Sequence, residues 1–286
     1  MTQVDASGYY YISVTLLLWE WTMTHQTLHV TEAEGVITVT LDRPERRNAL
    51  NPQSIGELMR VLDALGQRSF GVLILTGRGP AFCAGLDLEH LKSLAGNTVA
   101  QHREDSARVA HLFRTLYDLP LPTIAAVNGH AIAGGMGLAT ICDFTLAVPD
   151  AKFGYTEARI GFVPAIVSAF LVPQIGEKKA RDLLLTARLI PAEEAHQMGL
   201  VNEIVSEAGL LPRARQLAHQ ILQNSPESLR RTKQLLSEQV KERLDRELEN
   251  AVERNATARE TADFQEGISS FLERRTPNWP SRKPAK

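Results

Sequence analysis

Between Pro122 and Glu157 the chain sets three glycines, Gly134, Gly135 and Gly137, at the start of a short predicted helix that follows an apolar strand. Glycines there let the backbone approach a ligand closely, and the unbonded N–H groups of a first helical turn can face a negative or developing negative charge. An acyl or phosphoryl group is the implied ligand. Glu157 follows among Phe153, Tyr155, Ile160 and Phe162. Desolvation in such surroundings raises a carboxyl pKa towards the working range of a proton shuttle. A second glycine loop, TGRGPAFCAGLDLEHL, holds Gly77, Gly79 and Gly85, with Asp87 placed to cap a helix beginning at Leu88. Cys83 has no His-and-acid pattern around it and reads as packing. Gly135-Met136-Gly137 is only part of a dinucleotide fingerprint, with Thr140 where glycine or alanine is wanted, and no phosphate loop of the GxxxxGK type occurs.

The elements that must position these groups follow from periodicity. Alternation over Leu28–Leu41 around Ala33-Glu34-Gly35 predicts a hairpin. A helix follows with Ile55, Leu58, Met59, Leu62 and Leu65 on one face, then a doubly covered strand from Phe70 to Leu75. A longer helix is predicted over 99–117, and Pro120 and Pro122 deliver the chain into the central strand. After Glu157 come a buried loop and helix, a helix from Pro191 to a left-handed cap at Gly199, and a short strand. From Leu210 to Arg275 nearly everything reads as helix, broken at Asn224–Glu227. Strands and helices in alternation, then helices alone, predict a parallel-sheet α/β core with a helical C-terminal module. The expected divisions are an N-terminal extension outside the fold (1–26), a core (27–209), a helical region (210–275) and a loose basic, proline-rich tail (276–286).

A formal net charge of -2 over 286 residues gives no electrostatic footprint for nucleic acid or anionic lipid. The two cysteines, Cys83 and Cys142, have no metal-ligand spacing and fit a reducing compartment. The apolar run Tyr9–Trp19 lacks a basic n-region and is too short to span a bilayer. The expectation is a soluble, cytoplasmic protein with a small-molecule ligand, no membrane or nucleic-acid partner, and no metal or separate cofactor.

Five blocks in order, AFCAGLDL, VNGHAIAGGMGLATICD, AKFGYTEARIGFVP, ARLIPAEEAHQMGLVNEIV and FQEGISSFLERRTP, resemble the crotonase superfamily of enoyl-CoA hydratases and isomerases over about residues 27 to 279. The resemblance implies a crotonase-like spiral of ββα turns with a C-terminal helical trimerisation region, assembled as a homotrimer or dimer of trimers. It implies an oxyanion hole from the backbone N–H groups of Ala84 and Gly134, and Glu157 as the catalytic acid/base. Coenzyme A, as part of an acyl-CoA thioester substrate, is matched by Arg46, Ala49, Leu86, Asp87 and Leu88, with Phe271 and Arg274 supplied by a neighbouring subunit. The family's first glutamate falls on Gly137, which has no side chain. The expected activity is a lyase, hydration of a 2-enoyl-CoA by a single glutamate. The alternatives are a Δ3,Δ2-enoyl-CoA isomerase with Glu157 as proton shuttle, or a non-catalytic CoA-thioester-binding protein.

Overall fold

The computed structural model describes residues 25–94 and 96–282, so most of the expected N-terminal extension lies outside the described residues. The hairpin forms as β1 (Leu28–Ala33) and β2 (Val36–Leu41), antiparallel with Leu28 opposite Leu41. A reciprocal Asn51–Ser54 capping box and Pro52 start α1 (Pro52–Gly66), which buries Ile55, Leu58, Leu62 and Leu65. The chain then repeats one unit three times, a strand in one sheet, a strand in a second, and helix. The first turn is β3 (Val72–Gly77), β4 (Ala81–Cys83), α2 (Leu88–Ser93) and α3 (Val99–Tyr117). The second is β5 (Thr123–Val127), β6 (His130–Ile132) and α4 (Gly134–Ile141). The third is β7 (Phe144–Ala147), β8 (Lys152–Gly154) and α5 (Ala165–Ile175).

After α6 (Glu177–Thr186), β9 (Ile190–Pro191) and β10 (Glu203–Ile204), flanking α7 (Ala192–Met198), close one sheet each. The larger sheet runs β1-β2-β3-β5-β7-β10 and the smaller β4-β6-β8-β9. Successive turns pair in parallel, β3 with β5 and β5 with β7 in one sheet, β4 with β6 and β6 with β8 in the other. This stacking is the α/β spiral that the resemblance implied. Leu73, Ile74, Leu75, Ile124, Ala125 and Ala126 are fully buried, as strands covered on both faces require. Phe70, expected in β3, lies outside it and is 42% exposed, because Gly71 at φ +141 turns the chain just before the strand begins.

The helical region is α8 (Leu210–Leu222), α9 (Pro226–Ala258) and α10 (Ala262–Leu272), with α8 on the large sheet and α9 along α3 and α5. Residues 276–282, expected as a loose tail, instead dock on α10. Ser281 N and Oγ donate to the Asp263 carboxylate at 3.0 and 2.5 Å, and Asn278 N donates to Glu266 at 2.6 Å.

A buried ion pair ties α9 to α3. Arg259 Nη1 stands 2.8 Å from Asp105 Oδ2, with side chains 1% and 7% exposed, and His90 Nε2 of α2 is 3.3 Å from the other oxygen. Burial alone would push the Asp105 carboxyl up, but the His90 hydrogen bond and the Arg259 charge outweigh it and hold the group well below the usual carboxylate range. Arg259→Met leaves that carboxylate buried with His90 and the exposed Arg108, 3.3 Å from Oδ1, as its remaining partners. The expected loss is about 3–5 kcal/mol of unfolding free energy, read as a lowered urea midpoint with an unchanged slope.

Candidate active site

The loop after β4 lies against the start of α4. Gly85 has φ +86, and a Cβ on it would stand 2.9 Å from the Ala133 Cβ and 3.1 Å from Gly134 N, so the approach of these two segments requires glycine. Ala133 takes φ 51, ψ -123, a strained setting for an L-residue, held by its N–H donating to Gly154 O at 2.7 Å. That bend ends β6 and makes Gly134 the first residue of α4.

Which amides are free decides the chemistry. The Ala84 N–H donates to the Arg47 carbonyl at 3.0 Å, so Ala84 lines the cavity without an amide to offer, against the sequence expectation. Two residues on, Leu50 N donates to Gly85 O at 2.7 Å and Asp87 N to Leu50 O at 2.8 Å. These bonds leave the intervening Leu86 N–H on the opposite side of the segment, as strand alternation dictates. Among the described residues neither the Leu86 nor the Gly134 amide has an acceptor, and a Cβ on Gly134 would lie 4.0 Å from Leu86 N. Leu86, expected as a coenzyme contact, thus carries the free amide that was expected at Ala84.

Beside this amide pair a cavity of about 380 Å³ opens, walled by Val109 and Phe113 of α3, by Phe162, and by Val167 of α5. Glu157 enters it from a single turn of 3-10 helix, Glu157–Ile160, which Gly161 ends in the left-handed region. A hydrogen bond of 3.0 Å between the Tyr155 hydroxyl and Thr140 Oγ1 fastens this segment to α4. The Glu157 side chain is 8% exposed and its Oε2 has no hydrogen-bond partner among the described residues. Burial pushes the carboxyl up to about 7, only partly opposed by a hydrogen bond from its own backbone amide. An acid at that level gives and takes a proton equally well near neutral pH.

Gly137, one turn into α4, faces no water-holding space. A Cβ there would come within 2.5 Å of Phe113 Cε1 and 2.7 Å of Val167 Cγ1, so apolar side chains fill the place of a second carboxylate. Among the described residues Glu157 is the one carboxylate lining the cavity. Cys83 is fully buried, and burial raises its thiol to about 12, which fits packing.

The other expected contacts divide. Leu88 and the 58%-exposed Phe271 line the cavity. Arg46 does not; it pairs with Glu89 at 2.9 Å, while its neighbour Arg47 lines the cavity. The Ala49 carbonyl accepts from Arg43 Nη1 at 2.5 Å, and Asp87 caps α2 at Glu89 N (3.0 Å) and pairs with Arg43 at 3.1 Å, so both brace the loop rather than face the cavity. Arg274 sits just beyond α10, away from the cavity of its own chain. Sequence reasoning missed Arg47, the Leu86 amide, the Phe113 and Val167 plug, and Asn255, a cavity-lining residue of α9.

Two free amides converging beside a buried carboxyl near pH 7 define a site for enolate-type chemistry on a thioester-like carbonyl. Residues 31–282 match the family model described as enoyl-CoA hydratase/isomerase. The chain is 44% identical to a Thermus thermophilus protein provisionally named an enoyl-CoA hydratase, over 87% of this chain and 98% of that one. It is 32% identical to a crotonyl-CoA hydratase of Syntrophomonas wolfei, over 91% and 100%. A solved enoyl-CoA hydratase/isomerase from Xanthobacter autotrophicus superposes with a TM-score of 0.81 at 29% identity, covering 92% of this chain and 100% of that one. The chain belongs to the enoyl-CoA hydratase/isomerase family of the crotonase superfamily and is an enzyme, of a family that acts on acyl-CoA thioesters.

Proposed function

We propose that this enzyme hydrates a 2-enoyl-CoA, with Glu157 as the single acid/base and the Leu86 and Gly134 amides as the oxyanion hole. The observation that carries the proposal is the Glu157 carboxyl itself, buried, raised to about 7 and with one oxygen unbonded beside two free N–H groups. The Glu157 carboxylate takes a proton from water as the water oxygen bonds to C3. The double-bond electrons move onto the thioester oxygen, where both amides stabilise the enolate. The protonated Glu157 then returns its proton to C2. Arg47 lines the cavity with the forked donors that suit a coenzyme A phosphate. Exposed Leu235 and Leu236 on α9 and exposed Phe271 on α10 support assembly as a trimer or dimer of trimers.

The filled place at Gly137 favours a second reading, Δ3,Δ2-enoyl-CoA isomerisation, which needs one base and no held water. There Glu157 removes a proton from C2 of a 3-enoyl-CoA and delivers it to C4 through the same enolate. Crotonyl-CoA and a 3-enoyl-CoA, each incubated with the enzyme and resolved by product, separate the two. A 3-hydroxyacyl product identifies hydration, a shifted double bond identifies isomerisation, and background rates on both end the proposal. Leu86→Pro removes one oxyanion donor and is expected to lower kcat about 10²–10³-fold with little change in KM. A loss below threefold would return the donor role to another amide.

A further inference from the structure

Of the polar side chains that line the cavity, two are more than nine-tenths buried, Glu157 at 8% exposed and Asn255 at 5%. The reaction uses Glu157 and leaves Asn255 unused. Asn255 continues the buried series Leu244, Leu248 and Ala251 on α9, and the three-and-four spacing puts it on the face packed against α3 and α5. An aliphatic residue would continue that series, and would also suit an acyl site built for a plain alkyl chain. Instead the Asn255 Oδ1 is enclosed with no hydrogen-bond partner, and its Nδ2 has none among the described residues. A buried carbonyl oxygen left unbonded opposes folding, so the retention of this carboxamide at a cavity wall points to a ligand that completes it.

The chemistry of the missing partner is constrained. A carboxamide presents one acceptor and two donors, and a hydroxyl group, itself donor and acceptor, engages both ends. A keto oxygen would answer only the Nδ2 end. A carboxylate would need a cation; Arg259, four residues on, is held by Asp105 at 2.8 Å and lies over the Phe162 ring at 5.7 Å rather than lining the cavity, and the cations that do line it are Arg47, suited to the coenzyme phosphate, and the exposed Arg159 beside Glu157.

We infer that Asn255 is a specificity-determining residue that hydrogen-bonds a hydroxyl group carried on the acyl chain, away from the thioester, so that the preferred substrates are hydroxylated enoyl-CoA thioesters. The inference rests on the acyl-CoA reading of the same cavity. Saturated acyl-CoA pairs of four to eight acyl carbons, each with and without a terminal hydroxyl, are titrated by calorimetry into the wild-type enzyme, Asn255→Leu and Asn255→Asp. The matching 2-enoyl-CoA pairs are then compared by kcat/KM. At one chain length the wild type is expected to favour the hydroxylated member at least tenfold. That ratio falls to about one or below in Asn255→Leu and stays several-fold in Asn255→Asp, which keeps acceptor oxygens. A wild-type ratio near one at every length, or the same ratio in wild type and Asn255→Leu, overturns the assignment. Should the leucine variant not fold by circular dichroism, the wild-type ratio and the aspartate variant decide. A protein that binds the hydroxylated thioesters preferentially but turns none over keeps Asn255 in its role and ends the hydration reading. Absence of all thioester binding ends both.

Discussion

Glu157→Gln is expected to abolish turnover and, at pH 8, to make the unliganded protein more stable. Removing the one carboxylate that lines the cavity among the described residues takes away proton transfer worth about 10²–10⁴ in rate. The stability gain follows from linkage. In the unfolded chain the carboxyl ionises near 4.5, and in the folded protein burial holds it to about 7. Between those values the unfolded state releases a proton that the folded state keeps, so stability is fully present below about 4.5, falls as pH rises, and is lost once pH has passed through about 7. The full cost at pH 8 is about 3 kcal/mol. A neutral glutamine avoids it, which corresponds to a rise in Tm on the order of 5–10 °C at pH 8 and a quarter or less of that at pH 5. Thermal melts of both proteins at the two pH values, with bound thioester excluded, read the difference. Equal melting temperatures at pH 8 would mean that the carboxyl is solvated in the free enzyme, and the proton-shuttle role would lose its physical basis. The same titration sets activity, since hydration needs the ionised base, so kcat/KM should rise with pH through about 7.

Much of this was legible in the sequence because it was local. Alternation around Gly35 gave the hairpin, the apolar run at β3 a covered strand, and the two glycine loops the segments that meet at the site. The carboxylate was legible because its neighbours are apolar over a few residues on each side. What the sequence did not disclose depends on long-range pairing. The loop AFCAGLDL points to an oxyanion donor, yet the choice between the Ala84 and Leu86 amides is made by a hydrogen bond to the Arg47 carbonyl, from a segment with no local signature. The same turn, with Arg47 at φ 51, sends Arg47 rather than Arg46 to the cavity. The docking of residues 276–282 depends on Asp263 and Glu266 lying opposite them, which composition alone does not reveal. Asn255 did carry a signal: a polar residue at the next place in the Leu244, Leu248, Ala251 series breaks a core stripe, and such a break marks either a buried network or a ligand contact.

Gly137→Ala is expected to destabilise the protein by about 1–3 kcal/mol, the cost of overpacking a filled site. The sign is informative, since alanine for glycine inside a helix ordinarily gains about 0.5–1 kcal/mol. The reversal arises because the new methyl would lie 2.5 Å from Phe113 Cε1 and 2.7 Å from Val167 Cγ1, both in side chains fixed by the core. Val167→Ala should relieve part of the clash, so the double variant is expected to lose less than the sum of the single losses, a coupling measurable by denaturant titration. Additive losses would show that Val167 does not close the site. Opening the space further, with Gly137→Glu on a Phe113→Ala, Val167→Ala background, places a carboxylate one turn into α4 on the wall of the cavity that Glu157 enters. Two carboxyls sharing the cavity raise the pKa of one of them. If lack of a held water limits hydration in the wild type, the triple variant should shift the product ratio towards the 3-hydroxyacyl thioester and move the pH–rate rise above about 7. A product ratio and pH profile unchanged from the Phe113→Ala, Val167→Ala background would show that the apolar plug is not what sets the balance between hydration and isomerisation.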